Sequence, residues 1–191
     1  MIEVVGHSGG SEFKAALEFK DALESLWPNL ARAPKNLDHV IISANVRISG
    51  YKVSDIDLVI AGKLTNDYSI RSSRVIKDKS GRDHFNAKFL VKNFVVVVEV
   101  KDQPNRSVQI VGDDIQVYYS SGAKTGWSSA TNQNVNQLHS LKSFLYDKKI
   151  KDVFVDRCVL MRGLSELDCP GAVHGGFTGK EFFSSLAALS K

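Results

Sequence analysis

Hydrophobic spacing divides the chain into elements before any residue is considered for its chemistry. Between Ser11 and Trp27, Phe13, Ala16, Leu17, Leu23 and Leu26 recur three and four positions apart, the period of an amphipathic helix. Ser8 or Ser11 is placed to cap its start, and Pro28 ends it. "HVIISANVRI" then predicts a strand, "GYKV" a turn, and "SDIDLVIAG" a second strand closed by Gly62. Residues 63–90 are polar and charged and predict an insertion, either a hairpin or a mobile loop. "VKNFVVVVEVKDQP", Val91 to Pro104, is the most strand-like stretch of the chain. "SVQIVGDDIQVYY" predicts a hairpin turning at Gly112, Asp113 and Asp114. The polar loop "SSGAKTGWSSATN" separates it from a second helix, Asn132 to Lys149, with Val135, Leu138, Leu141, Phe144 and Leu145 as its apolar positions. "VFVDRCVLMRG" predicts one more buried strand.

This order, helix then strands then helix then strand, is that of an α/β fold with helices flanking a mixed sheet. Residues 1–163 read as one domain. Residues 164–191 change character: "SELDCPGAVHGGF" is rich in turns, and "GKEFFSSLAALSK" has the makings of a short helix. They read as a tail or linker towards another domain or protein on the C-terminal side.

Composition adds bounds. Apolar residues make up 43% and charged residues 24% of the 191 positions, which is globular and not disordered composition. A net charge of +4 permits a polyanionic partner without requiring one. Cys158 and Cys169 do not form a CxxC pair, and no His/Cys cluster has zinc spacing, so both read as reduced thiols. No apolar run approaches the ~20 residues that cross a bilayer, and "MIEVVGHSGG" lacks the form of a secretory signal. The expectation is a cytoplasmic protein with no membrane partner.

The chemistry concentrates on two strands. Side chains alternate along a strand, so Asp55, Asp57 and Val59 share one face, as do Val97, Glu99 and Lys101. If the two strands are neighbours, Asp57 and Glu99 converge on one cation, with Lys101 beside it. A hard divalent ion takes carboxylate and carbonyl oxygens plus water. It lowers the pKa of a bound water and neutralises a phosphoryl oxygen, while a nearby ammonium orients the water or stabilises the anionic transition state.

"IDLVI", "VVVVEVK" and "NQNVNQLHSLKSFL" together resemble the PD-(D/E)XK nuclease superfamily and, within it, the nuclease-related NERD domain. The resemblance spans residues 9–162. It implies a restriction-endonuclease-like fold and a metal-dependent nuclease, using Mg²⁺ or Mn²⁺, whose substrate is DNA. Asp57 and Glu99 match the metal-binding carboxylates, with the carbonyl of Val100 as a further ligand. Lys101 matches the water-positioning lysine. Glu12, in "GSE" at the helix start, and Gln133, eight and twelve residues before Leu141 and Leu145, match the residues that complete the pocket. Helical phase places Glu12 in line with Ala16, Phe19 and Leu23; Glu18 and Gln137 are the alternatives to Glu12 and Gln133. Cutting both strands with such a single-site domain requires a homodimer or successive nicks.

Blander readings stand beside these. Glu99 and Lys101 alone read as a surface ion pair, Asp55 as a strand-entry polar residue, and Glu12 as a first-turn acid favouring the helix dipole. Trp127 reads as a loop anchor or a stacking residue. Lys142, Lys148, Lys149 and Lys151 read as a solvated helix end within reach of phosphates. "GGFTGKE" lacks the spacing of a phosphate loop. A non-catalytic nucleic-acid-binding or assembly module that keeps the fold is the rival function.

Overall fold

The computed structural model describes residues 1–32, 37–71, 76–85, 88–102, 107–111, 114–118, 121–126, 128–150, 153, 155–162 and 175–176. In chain order the elements are β1 (Ile2–Val5), α1 (Ser11–Leu26), α2 (Pro28–Ala31), β2 (His39–Arg47), β3 (Asp55–Arg71), β4 (Ile76–Lys77) and β5 (Asp83–His84). There follow β6 (Lys88–Asp102), β7 (Ser107–Val111), β8 (Asp114–Tyr118), β9 (Ser128–Ser129), α3 (Ala130–Asp147), β10 (Val155–Arg162) and β11 (Gly175–Gly176).

The main sheet has the strand order β1-β2-β3-β6-β10-β11. Its two central contacts, β2 with β3 and β3 with β6, are antiparallel. Its flanks, β1 with β2, β6 with β10 and β10 with β11, are parallel. The fold is therefore a mixed α/β sheet with a helix on each face. α1 buries Ala15, Ala16, Phe19 and Leu23 against Val40, Ile42, Leu58, Ile60, Val96 and Val98. Leu141 of α3 packs on Val97 and Val155 of the opposite face, flanked by Val59, Leu138 and Leu145. Alternation along β6 thus hands Val96, Val98 and Val100 to α1 and Val95 and Val97 to α3. Every residue from Val96 to Glu99 is buried, because this strand is covered on both sides.

Several expectations need correction. Leu17 and Leu26 face water; the buried stripe of α1 runs instead through Ala15, Ala16, Phe19 and Leu23. Gly10 rather than Ser8 or Ser11 occupies the cap position, and no side chain caps the helix. Ile2–Val5 is an edge strand that the hydrophobic pattern did not single out. Gly62 does not close its strand. It lies opposite Phe94, whose ring stands 2.2 Å from where a Cβ would project, so glycine is needed there to admit the ring. β3 consequently continues to Arg71 and pairs with β6 out to Lys88, so much of residues 63–90 extends the central hairpin as a ribbon. The second helix starts at Ala130 and ends at Asp147, two residues earlier at each end than its apolar period predicts. The 107–118 hairpin forms, with a two-residue strand from the following loop added to it. Its turn residues Gly112 and Asp113, together with Trp127, Lys151, Cys169 and the helix expected near the C-terminus, lie outside the described residues. Among the described residues no helix is long and apolar enough to cross a membrane.

The ribbon bends where its register shifts, between Lys63 and Tyr68. Asp38, fully buried, sits under that bend. Its Oδ1 accepts from the Thr65 amide at 2.6 Å, the Thr65 hydroxyl at 3.0 Å and the Asn66 amide at 3.2 Å. Its Oδ2 accepts from the Asn66 side chain and from the Tyr68 hydroxyl. The bulged backbone thus finds in one carboxylate the partners that the ladder no longer provides. Burial pushes the Asp38 pKa up, but the hydrogen bonds from Thr65 and Asn66 outweigh it and hold the group well below its ordinary 3.8. Asp38→Ala strands the Thr65 and Asn66 donors and is expected to cost about 3 kcal/mol in a urea melt. A depressed carboxylate stabilises the fold above its unfolded pKa, and that contribution is lost as pH falls below 3.8 towards the folded value. Wild-type stability should therefore fall more steeply below pH ~4 than that of Asp38→Asn.

Candidate active site

β3 and β6 pair from Arg71/Lys88 to Leu58/Val98, where the ladder ends. Continuing that register by one residue sets Asp57 across from Glu99. Beyond it the strands cease to exchange main-chain bonds, and the Asp57 carboxylate takes over: its Oδ2 accepts from the Val100 amide at 2.8 Å. An aspartate here both finishes the ladder and turns its head group towards Glu99.

Glu99 is the most buried charge of the group, with 1% of its surface exposed. A polar group so buried needs partners, and it has one on each oxygen. Lys101 Nζ lies 2.5 Å from Oε1, and Gln137 Nε2 donates to Oε2 at 2.6 Å. Lys101 Nζ also donates to Gln133 Oε1 at 3.0 Å. Gln133 and Gln137 are one helical turn apart on α3, so one face of that helix reaches both members of the Glu99–Lys101 pair. Neither residue displaces the other: exposed Gln133 meets the lysine, and buried Gln137 meets the glutamate. Asn134, fully buried, braces the helix by donating to the Val97 carbonyl at 3.3 Å.

α3 is held in place by the loop between β2 and β3. The Val53 amide donates to Ser140 Oγ at 3.0 Å, Lys52 Nζ to Asn136 Oδ1 at 3.0 Å, and the Tyr51 hydroxyl to Asp147 Oδ2 at 2.6 Å. The Tyr51 ring meets Phe144 edge-on at 6.0 Å. This loop leads straight into Asp57, so its contacts tie the start of β3 to the helix that carries Gln133 and Gln137.

Glu12 joins from the other side of the sheet. It lies in the first turn of α1, part-buried, with Oε2 beside Gly10. Its charge adds to the load on Asp57, whose pKa is raised from 3.8 to about 6 by burial first, then by Glu99 and, more weakly, by Glu12; the Val100 amide and Lys101 oppose the rise. Glu18, the alternative to Glu12, is engaged elsewhere: it bonds Arg162, which also holds Asp102 at 2.8 Å. Asp55, expected on the Asp57 face, forms an exposed pair with Arg47 at 3.1 Å.

A cavity of about 510 Å³ opens at Asp57, lined by His7, Asn45, Arg47, Asp55 and Ile56. Asn45 adopts the left-handed conformation, φ 56°, which a short polar side chain tolerates better than most. None of His7, Asn45 and Arg47 was identifiable from the sequence as belonging to the site, because each reaches it through the packing of β1 and β2 alongside β3.

Among the described residues no set of three His, Cys, Asp or Glu side chains is arranged to hold a metal. The donors that do fit a hard cation are two carboxylates, Asp57 and Glu99, with the Val100 carbonyl in sequence between Glu99 and Lys101. Burial first, and then the charge of Glu99, raise the Asp57 pKa. No protein-family model, curated protein or solved structure matches the chain.

A carboxyl whose folded pKa is raised stabilises the fold fully below pH 3.8 and loses that contribution as pH climbs through about 6. Removing the charge should therefore help metal-free protein at high pH. Asp57→Asn keeps an acceptor for the Val100 amide and is expected to gain about 1 kcal/mol at pH 8, partial exposure screening the rest. The gain should vanish near pH 3.8, as read from paired urea melts.

Proposed function

We propose that this chain is a metal-dependent nuclease of the PD-(D/E)XK class and restriction-endonuclease-like fold, hydrolysing phosphodiester bonds in DNA. The observation that carries this reading is the meeting of Asp57, Glu99, Lys101 and Gln133 where β3 and β6 part. Asp57 and Glu99, with the Val100 carbonyl, would hold Mg²⁺ or Mn²⁺. Bound there, such an ion acidifies a water and neutralises charge on the phosphoryl oxygens.

The remaining steps belong to the protein. Lys101 is held between Glu99 Oε1 and Gln133 Oε1, so its ammonium is aimed by two acceptors from different elements. It orients the attacking water and stabilises the charge that builds on phosphorus-bound oxygen. The water oxygen bonds to phosphorus and gives up a proton to solvent, the bond to the leaving oxygen breaks, and that oxygen takes up a proton from solvent. Gln137, by holding Glu99 Oε2, fixes the glutamate's rotamer. Glu12, in the first turn of α1, would add its charge to that of Asp57. The cavity lined by His7, Asn45 and Arg47 adjoins Asp57 and is large enough for one nucleotide's phosphate and sugar to approach.

One observation favours the rival reading, a non-catalytic nucleic-acid-binding or assembly module. Both Glu99 oxygens already have partners, Lys101 and Gln137, so the pair is satisfied without a cation. Cleavage of supercoiled plasmid and of single-stranded DNA with Mg²⁺ or Mn²⁺ separates the two. The nuclease reading expects Asp57→Ala and Lys101→Ala each to lower the rate at least 100-fold, in the range typical of losing a positioned acid–base or electrostatic group. Equal rates in all three proteins, or no turnover with any divalent ion, would favour the binding module.

A further inference from the structure

The charge of this chain is not spread evenly. Between Lys63 and Lys92 the sequence has eight Lys and Arg against three Asp, an excess of five, whereas the whole chain's excess is four. The rest of the molecule is thus slightly acidic, and the whole positive excess belongs to the β3–β6 ribbon and its tip. Lys63, Lys79, Arg82 and Lys88 are all exposed there. The register sets Arg71 opposite Lys88, a like-charge cross-strand pair that costs a sheet stability.

Two of the three acids do not offset this charge at a distance. Asp78 is built into the tip: its Oδ1 accepts from the Ser80 amide at 2.8 Å and the Arg82 amide at 3.0 Å, and its Oδ2 lies 2.9 Å from His84 Nε2. Those bonds close the turn between β4 and β5 and present Lys79 and Arg82 on its outside. Asp67 is paired with Lys92 at 2.6 Å. Phe85, the residue after β5, is 73% exposed.

We infer that the β3–β6 ribbon is a DNA-backbone-binding arm, separate from the candidate active site and working without metal. It rests on the proposed function only in taking DNA as the polyanion. Lys63 lies six residues along β3 from Asp57, about 20 Å at the usual strand rise, or roughly six base pairs of duplex. The arm therefore grips phosphates well away from the bond to be cut. A two-stranded ribbon also has the width that a major groove admits.

The test is binding of a 30-base-pair fluorescent duplex to the full chain in EDTA, across a range of salt concentrations. The ribbon variant carries Lys63→Gln, Lys79→Gln, Arg82→Gln and Lys88→Gln. Each lost phosphate contact removes about 0.9 from the slope of log K against log salt, so the slope should shrink by about 3.6 and binding weaken at least tenfold. A comparison variant with Lys142→Gln, Lys148→Gln and Lys149→Gln should change the slope by less than about 1. If the ribbon variant melts below wild type, the four single substitutions are measured instead, each expected to lower the slope by about 0.9. An unchanged slope in the ribbon variant overturns the inference, as does a fall confined to the α3 variant. Competition by poly-glutamate at equal charge that matches competition by DNA would also overturn it, by pointing to an acidic protein. If the ribbon carries the salt dependence while no metal supports cleavage, the arm stands and the nuclease reading falls.

Discussion

The pairing of β3 with β6 is the constraint on which the rest of this molecule depends. It is the longest ladder in the sheet, running from Leu58/Val98 to Arg71/Lys88. Its two ends serve opposite purposes. At one, the strands part and leave carboxylates and an amine facing each other; at the other, they run on past the helices as a charged ribbon. Neither end is built on a loop, and the end that carries Glu99 inherits the stiffness of a strand covered on two faces. The register is fixed by what each residue must bury: a slip of one position would turn Val96 and Val98 away from α1 and Glu99 away from Gln137.

Polar groups keep that ladder in order at both ends. Asp38 supplies the bonds that the bulge at Thr65 and Asn66 gives up, and Asp57 supplies the one that Val100 would otherwise lack. They are two aspartates with contrasting electrostatics. Asp38 is surrounded by donors and its pKa is driven down; Asp57 is partly buried beside Glu99, and burial first, then that carboxylate, drives its pKa up to about 6. The first is a structural clamp, because its charge is fully met inside the protein. The second sits where burial and the neighbouring Glu99 both disfavour its charge.

Much of the site was legible because its parts lie on regular elements. The apolar run before Glu99 announced a buried strand, and alternation then fixed which side Glu99 and Lys101 share. The helical spacing of Leu141 and Leu145 placed Gln133 on the correct helix. What remained hidden depended on contacts between distant segments. Four residues, Ile2–Val5, are too few for periodicity to distinguish, and they form a strand because β2 offers them a parallel partner. Gly62 looks like a terminator until Phe94 is seen lying over it. The choice between Gln133 and Gln137 had no answer in sequence because both are used, by different atoms of one ion pair. The cavity residues His7, Asn45 and Arg47 carry no motif at all.

The order in which these parts occur along the chain has a consequence for the protein during its synthesis. Asp57, Glu99 and Lys101 emerge from the ribosome well before α3, which begins at Ala130. Until that helix has emerged and docked, Glu99 lacks Gln137, Lys101 lacks Gln133, and the valine face that α3 covers is open to water. β10, the next strand of the sheet, follows later still. A nascent chain therefore holds the two carboxylates and the lysine without the helix that aims them. The partners of Glu99 and Lys101 on α3 are supplied only after the sheet strands that carry the pair have been made.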